Sequence, residues 1–327
     1  MNSRKFVDNL KKLVTIQSES YNTRDMARYI VGVVQSIGGC TITNDKYGNI
    51  YVTKGNADKY DSMVCHIDTV HSIVKAKIHA INIDGNIVAF NGKTMKQHGT
   101  GGDDKVGIHI TLELLKRRSN FKAVFFLDEE VGCVGSAKAD FKFFNDCRFV
   151  LECDRRGSND FVDSISGTQL YSKEFSKDIQ KVLQKYNRKE VSGGMTDVVE
   201  IAYSTNKCVA NMSCGYYNPH TDTEYINIED VIDTFNFCND LYDINKKMYS
   251  YDVARVNQWA NYRWDYDPYY GTNDAFDHYD LLDDNNADKK IKEICGPGCM
   301  LHDNYCTTCM MYTEELTEFF EDETTID

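Results

Sequence analysis

Acids and histidines gather in five short stretches, each placed where an apolar run stops. His66 and Asp68 close SMVCHID, Asp103 and Asp104 lie in GTGGDDKVG, Glu129 and Glu130 close FFLDEE, Asp154 closes LECD, and His220 lies in NPHTDTEY. Neighbouring carboxylates that follow buried strands are costly unless a cation or a base compensates them. The only bases beside them are Lys105 and the pair Arg155–Arg156. Two divalent cations roughly 3.5–4 Å apart need one bridging carboxylate, with imidazoles and further carboxylates completing the ligand set. On that chemistry Asp103 is expected to bridge, His66 and Asp154 to hold one cation, and Glu130 and His220 the other. A water shared by the cations is acidified towards neutral pH, and Glu129, an acid not needed as a ligand, is the expected base for its proton. Asp68 stands two residues from His66 in an extended segment, so the two project to the same side and the carboxylate is expected to fix the imidazole tautomer. Zinc is the first expectation for both cations, with cobalt or manganese as alternatives. His71, His79, His98 and His109 are read as structural.

Such a set converges only if the chain brings strand ends together, and in open α/β sheets ligands bind at the carboxyl ends of strands. The pattern supplies those strands. An amphipathic helix opens the chain, with Phe6, Leu10, Leu13 and Val14 on one face. Helical spacing recurs over 24–37 (Met26, Ile30, Val33, Ile37) and is stopped by Gly38–Gly39. Two strands flank Tyr47–Gly48–Asn49, SMVCHID ends a third, and KAKIHAINIDGNIVAF is a hairpin turning at Asp84–Gly85. Val106, Ile110 and Leu114 mark a helix. FKAVFFLDEE and RFVLECD are apolar enough for central strands. Helices near 174–187, 197–204 and 228–247 and the strand CVANMSCG complete residues 1–250. Alternating strands and helices predict a three-layer α/β/α domain around a mixed, mostly parallel sheet.

Composition bounds the rest. The chain has 327 residues, 42% of them apolar, and a net charge of −13, so it can bury a large core. Beyond residue 250 lie 18 of its 50 acids but only 5 of its 37 bases, which leaves residues 1–250 neutral. A neutral domain with an acidic tail argues against nucleic acid and anionic membranes as partners. No stretch approaches the roughly 18 apolar residues of a membrane span, and the amino terminus lacks the apolar run of a signal peptide. Of twelve cysteines, eight are scattered singly through the first 250 residues. They read as reduced thiols of a cytoplasmic protein. Residues 251–290 form an acidic, aromatic-rich tail. In 291–327, Cys295, Cys299, Cys306 and Cys309 are spaced compactly, with Gly and Pro to turn the chain, which allows a small structural zinc knot although a zinc ribbon normally has a longer central loop; a disulfide or free thiols are the alternatives.

Taken in order, HIDTV, GGDDKVG, DEEVGCVGS, CD and PHTDTEY resemble the metal-ligand blocks of the di-zinc metallopeptidase clan that includes peptidase T, glutamate carboxypeptidase and the bacterial leucyl aminopeptidases. The similarity runs over about residues 1–248. It implies the zinc-exopeptidase (phosphorylase/hydrolase-like) fold, His66, Asp103, Glu130, Asp154 and His220 as ligands, Glu129 as base, Asp68 behind the first histidine, and a cis peptide between Asp103 and Asp104. Many members of the clan insert a lid or dimerisation domain before the last histidine. Here His220 follows Asp154 by 66 positions and Asp103 follows His66 by 37, intervals that core elements already consume, so a lid-less single-domain form is expected. Ser192–Asp197 resembles the clan's glycine-rich substrate loop, which makes Gly194 and Thr196 candidate substrate contacts, with Arg156 beside Asp154 as a carboxylate partner. The implied activity is that of an aminopeptidase or di/tripeptidase acting on small peptides. The alternatives are an amidohydrolase acting on acylated amino acids and a non-catalytic binding homologue, for which eroded ligands are expected.

Overall fold

The computed structural model describes residues 3–253 together with 301–302, 305–306 and 311–312. Helix α1 (Ser3–Val14) buries Phe6, Leu10, Leu13 and Val14. Helix α2 (Arg24–Ile37) buries Met26, Ala27, Ile30 and Val34, so Val34 rather than Val33 completes its inward stripe. It stops where Gly38 and Gly39 take φ of +73° and +66°, a region that other residues enter only at a cost. Then come β1 (Cys40–Asn44), β2 (Ile50–Lys54), β3 (Tyr60–His66), the hairpin β4 (Ile78–Ile83) and β5 (Asn86–Asn91), and the short β6 (Gln97–His98). Helix α3 (Gly102–Arg117) is buried almost all round, through Val106, Ile108, Ile110, Leu112, Leu114 and Leu115 but also Lys105, His109 and Thr111, which marks it as central. It is followed by β7 (Phe121–Phe126), α4 (Val134–Ala137), a 3-10 turn (Phe141–Phe144) and β8 (Cys147–Arg155). The chain continues through β9 (Asp160–Ile165), β10 (Thr168–Gln169), α5 (Lys173–Lys185), β11 (Lys189–Gly193), α6 (Asp197–Ser204), β12 (Val209–Ser213), β13 (Tyr216–Tyr217), β14 (Tyr225–Asn227) and α7 (Ile228–Asp243).

The main sheet runs β1-β2-β7-β3-β8-β12-β9-β10, with β11 on β9. Its centre, β7-β3-β8-β12, is parallel, while β1, β2 and β9 join antiparallel. The carboxyl ends of the central strands therefore open on one side, and in register: His66 on β3 stands opposite Phe126 on β7. Successive residues of β8 show the two covered faces. Glu152 accepts a hydrogen bond from Val198 N of α6, and the next residue, Cys153, meets Cys238 of α7, as alternating strand geometry requires. A smaller sheet, β13-β14-β5-β4 with β6 on β5, ties the hairpin to the segment that carries His220.

The sequence reading runs α7 to residue 247, whereas the helix ends at Asp243. The cause is Arg148, buried on β8, whose guanidinium collects the carbonyls of Tyr242 (2.9 Å), Ile244 (3.0 Å) and Asn245 and pairs with the carboxylate of Asp61. Removing one partner of a buried ion pair costs about 3–5 kcal/mol, and Arg148→Ala is expected to lose that much stability in urea denaturation. A loss below about 1 kcal/mol would show that water replaces the guanidinium.

Two units are distinguished, Met1–Val253 and Ala254–Asp327. In the second, Leu301–His302, Tyr305–Cys306 and Met311–Tyr312 form a small antiparallel sheet, β15 to β17. Of the cysteines expected to form a zinc knot, Cys295, Cys299 and Cys309 lie outside the described residues, as does most of the 251–290 tail, and Cys306 is described only as part of its strand. The eight cysteines of the first unit are free thiols, seven of them buried. Among the described residues no helix is long and apolar enough to cross a membrane.

Candidate metal centre

Each of the five clusters arrives on a different element. His66 is the last residue of β3, Asp103 is the second of α3, Glu129 and Glu130 follow β7, Asp154 is the last but one of β8, and His220 sits in the loop between β13 and β14. The structure brings them together. Asp103 stands between the imidazoles, its Oδ1 3.1 Å from His66 Nε2 and its Oδ2 3.3 Å from His220 Nε2. On the first side Asp154 Oδ1 lies 3.7 Å from His66 Nε2, and on the second Glu130 Oε2 lies 3.1 Å from His220 Nε2. Glu129 Oε2 is 3.9 Å from His66 Nε2, and its other oxygen accepts from the Cys133 thiol at 3.4 Å. The Asp103–Asp104 peptide is cis. Glu130 is 5% exposed and His220 53%, so the cluster opens towards the His220 side.

No protein-family model matches the sequence, and no curated protein does. Solved structures do. An aminopeptidase PepT from Bacillus cereus superposes with a TM-score of 0.60 at 15% identity, over 74% of this chain and 98% of its own. A tripeptidase from Staphylococcus aureus gives 0.58 at 13%, over 74% and 99%. An aminopeptidase from the archaeon Desulfurococcus kamchatkensis gives 0.59 at 12%, over 75% and 96%. The chain has the fold of these aminopeptidases.

Within this aminopeptidase fold the cluster has the electrostatics of a cation site. Burial disfavours a charged His66, but Asp103, Asp154 and Asp68 outweigh it and hold the imidazole well above its usual pKa. His220 is raised to about 9, chiefly by Asp103. Burial, then the neighbouring acids, raises Glu130 to about 8 and Asp154 well above the carboxylate range. Acids raised by one another's presence need positive charge to ionise together. The donor set of two imidazoles and three carboxylates suits divalent cations, and Glu130 Oε1 is buried without a hydrogen-bond partner. His66, Asp103 and Glu130 can offer ligand atoms within 4.8 Å of one another, as can His66, Asp104 and Asp154. Asp104 is the less suitable donor, because its oxygens accept from His66 N (3.3 Å) and Gly107 N (3.0 Å), which fastens the start of α3 to the end of β3.

Asp68 lies behind the first histidine as expected, and it holds more than the imidazole. Its backbone carbonyl is 3.0 Å from His66 Nδ1 and its carboxylate 3.5 Å. The carboxylate accepts from Ser20 Oγ (2.7 Å) and from the N–H groups of Glu129 (3.0 Å) and Glu130 (3.3 Å), and so positions the two glutamates more directly than the imidazole. Thr196, expected at the substrate, is corrected: it is 2% exposed, and its hydroxyl is spent on Glu152, with Asp154 Oδ2 at 3.4 Å. The preceding Gly194 is exposed, with open space about it, whereas a side chain at Gly193 would strike Val162 at 2.7 Å. Arg156 is exposed, while Arg155 is paired with Asp160 at 2.8 Å. Sequence reasoning missed Glu224. Fully buried, it accepts from Gly101 N (2.6 Å), Asp103 N (3.2 Å) and the His71 imidazole (3.0 Å), and so holds the turn that presents Asp103. Its one signal is its place four residues after His220, where exposed Asp222 disguises it. His109 is structural as expected, neutral through burial, with its pKa near 3, and edge-on to Phe6.

Proposed function

We propose that the chain is a metal-dependent exopeptidase of the aminopeptidase or di/tripeptidase kind that holds two divalent cations, zinc foremost. The observation that carries this reading is the placement of Asp103, whose two oxygens each face a different histidine while Glu129 Oε2 stands beside them. His66 and Asp154 would hold one cation, Glu130 and His220 the other, and Asp103 both. When bound, such ions polarise the scissile carbonyl and lower the pKa of the attacking water.

The remaining work falls to side chains. Glu129 takes the proton of the attacking water and passes it to the departing amine, a transfer within reach of a carboxylate held at the cluster's edge. Burial raises the pKa of Glu129 and so strengthens its hold on that proton. Asp68 fixes the backbone on which Glu129 and Glu130 stand, and the half-exposed His220 leaves the approach open to a short peptide. Buried free thiols suit a reducing compartment such as the cytoplasm.

Dipeptides, tripeptides and N-acyl amino acids, assayed with Zn2+, Co2+ and Mn2+, test the reading. Peptides should turn over, a chelator should abolish turnover, and added metal should restore it. Cleavage of the N-acyl amino acids alone would replace the peptidase by a deacylase, and activity that survives chelation would remove the metal from the reaction.

A further inference from the structure

The parallel pairing of β12 with β8 is regular up to Asn211, opposite Glu152, and then shifts before Ser213 meets Arg155. The ladder is thus interrupted beside Asp154. A side chain fills the interruption. Asn211 Oδ1 accepts from Asp154 N at 2.9 Å, and its Nδ2 donates to Asp154 O at 2.8 Å. The second Nδ2 proton goes to Thr196 Oγ1 at 2.9 Å, and Oδ1 also accepts from Met212 N at 2.6 Å. Every hydrogen-bonding position of the amide is used, and the amide turned over would set its NH2 against two backbone N–H groups. Thr196 passes the chain on to Glu152, with Asp154 Oδ2 at 3.4 Å. Asn211 and Thr196 are 4% and 2% exposed, so neither touches a substrate.

We propose that Asn211, acting with Thr196, is a positioning residue that aims Asp154 at one of the two cations, beside the Tyr216 hydroxyl that donates to Asp154 Oδ1 at 3.1 Å. The proposal rests on the two-cation reading above. All the side-chain hydrogen bonds of Asn211 go to Asp154, Thr196 and Met212, so its loss should weaken one cation and spare the one held by Glu130 and His220.

Zinc content and competitive chelator titration of the wild type, Asn211→Ala, Thr196→Val and Thr196→Ser test this without an activity assay. The wild type should bind two zinc ions. Asn211→Ala should bind one of them about 10- to 100-fold more weakly, the usual effect of losing a ligand's supporting partner, with the other unchanged. Thr196→Val should weaken the same ion and Thr196→Ser, which keeps the hydroxyl, should not. If Asn211→Ala does not fold, the threonine pair decides alone. Wild-type affinity at both sites in Asn211→Ala and Thr196→Val, or equal weakening of both, overturns the inference while leaving the two-cation reading intact. A wild type that binds no zinc overturns both.

Discussion

Glu129→Gln is expected to lower kcat by about 10²- to 10⁴-fold, the range that general-base catalysis contributes, with both cations still bound. The substitution keeps the shape of the side chain and removes its ability to accept a proton. Glu129 is placed for that distinction, since its Oε2 stands 3.9 Å from His66 Nε2 while its Oε1 is steadied by Cys133. A base that is not a ligand should show up as a loss in kcat with little change in KM. Steady-state kinetics on a peptide substrate, paired with elemental analysis of the same preparation, checks both halves. An unchanged kcat would deny Glu129 the proton, and a loss of metal would make it a ligand.

Asp103→Asn should do more damage, and of a different kind. Asp103 presents one oxygen towards each histidine, and an amide offers one neutral oxygen in place of two charged ones. Both cations are therefore expected to weaken by more than about 100-fold, beyond the effect of losing a supporting residue, and turnover should fall to background. The fold should persist, because Glu224 grips this turn through the backbone N–H groups of Gly101 and Asp103 and not through the side chain. Metal content and a circular dichroism spectrum recorded together give the answer. A variant that keeps two metals would end the bridging role.

How much of this was readable beforehand follows from where the information sits. Apolar strands that end in acids advertise themselves, and so the central strands and all five clusters could be placed from the residues. The strands β9, β10 and β11 were not seen, because KEVSG and TQ carry polar residues on partly exposed strands and lack the apolar run that marks a buried one. The supporting groups were hidden for a different reason. Asn211 lies in CVANMSCG, which reads as a plain core strand, and Glu224 lies among other acids. Whether such a residue is a spacer or a clamp depends on a partner far along the chain, 57 positions away for Asn211 and 121 for Glu224. Thr196 failed in the opposite direction, since a loop motif suggested contact with ligand and packing turned it inward.

His66 ends β3, and the other three parallel strands of the main sheet's centre, β7, β8 and β12, all lie in the chain between it and His220. On the proposed chemistry a nascent chain hydrolyses nothing until His220 has been made, because the second imidazole emerges only after those strands. A clip that separates His66 from His220 would likewise abolish the proposed activity without touching a catalytic atom, so that activity reports whether the stretch between the two imidazoles has been made and kept whole.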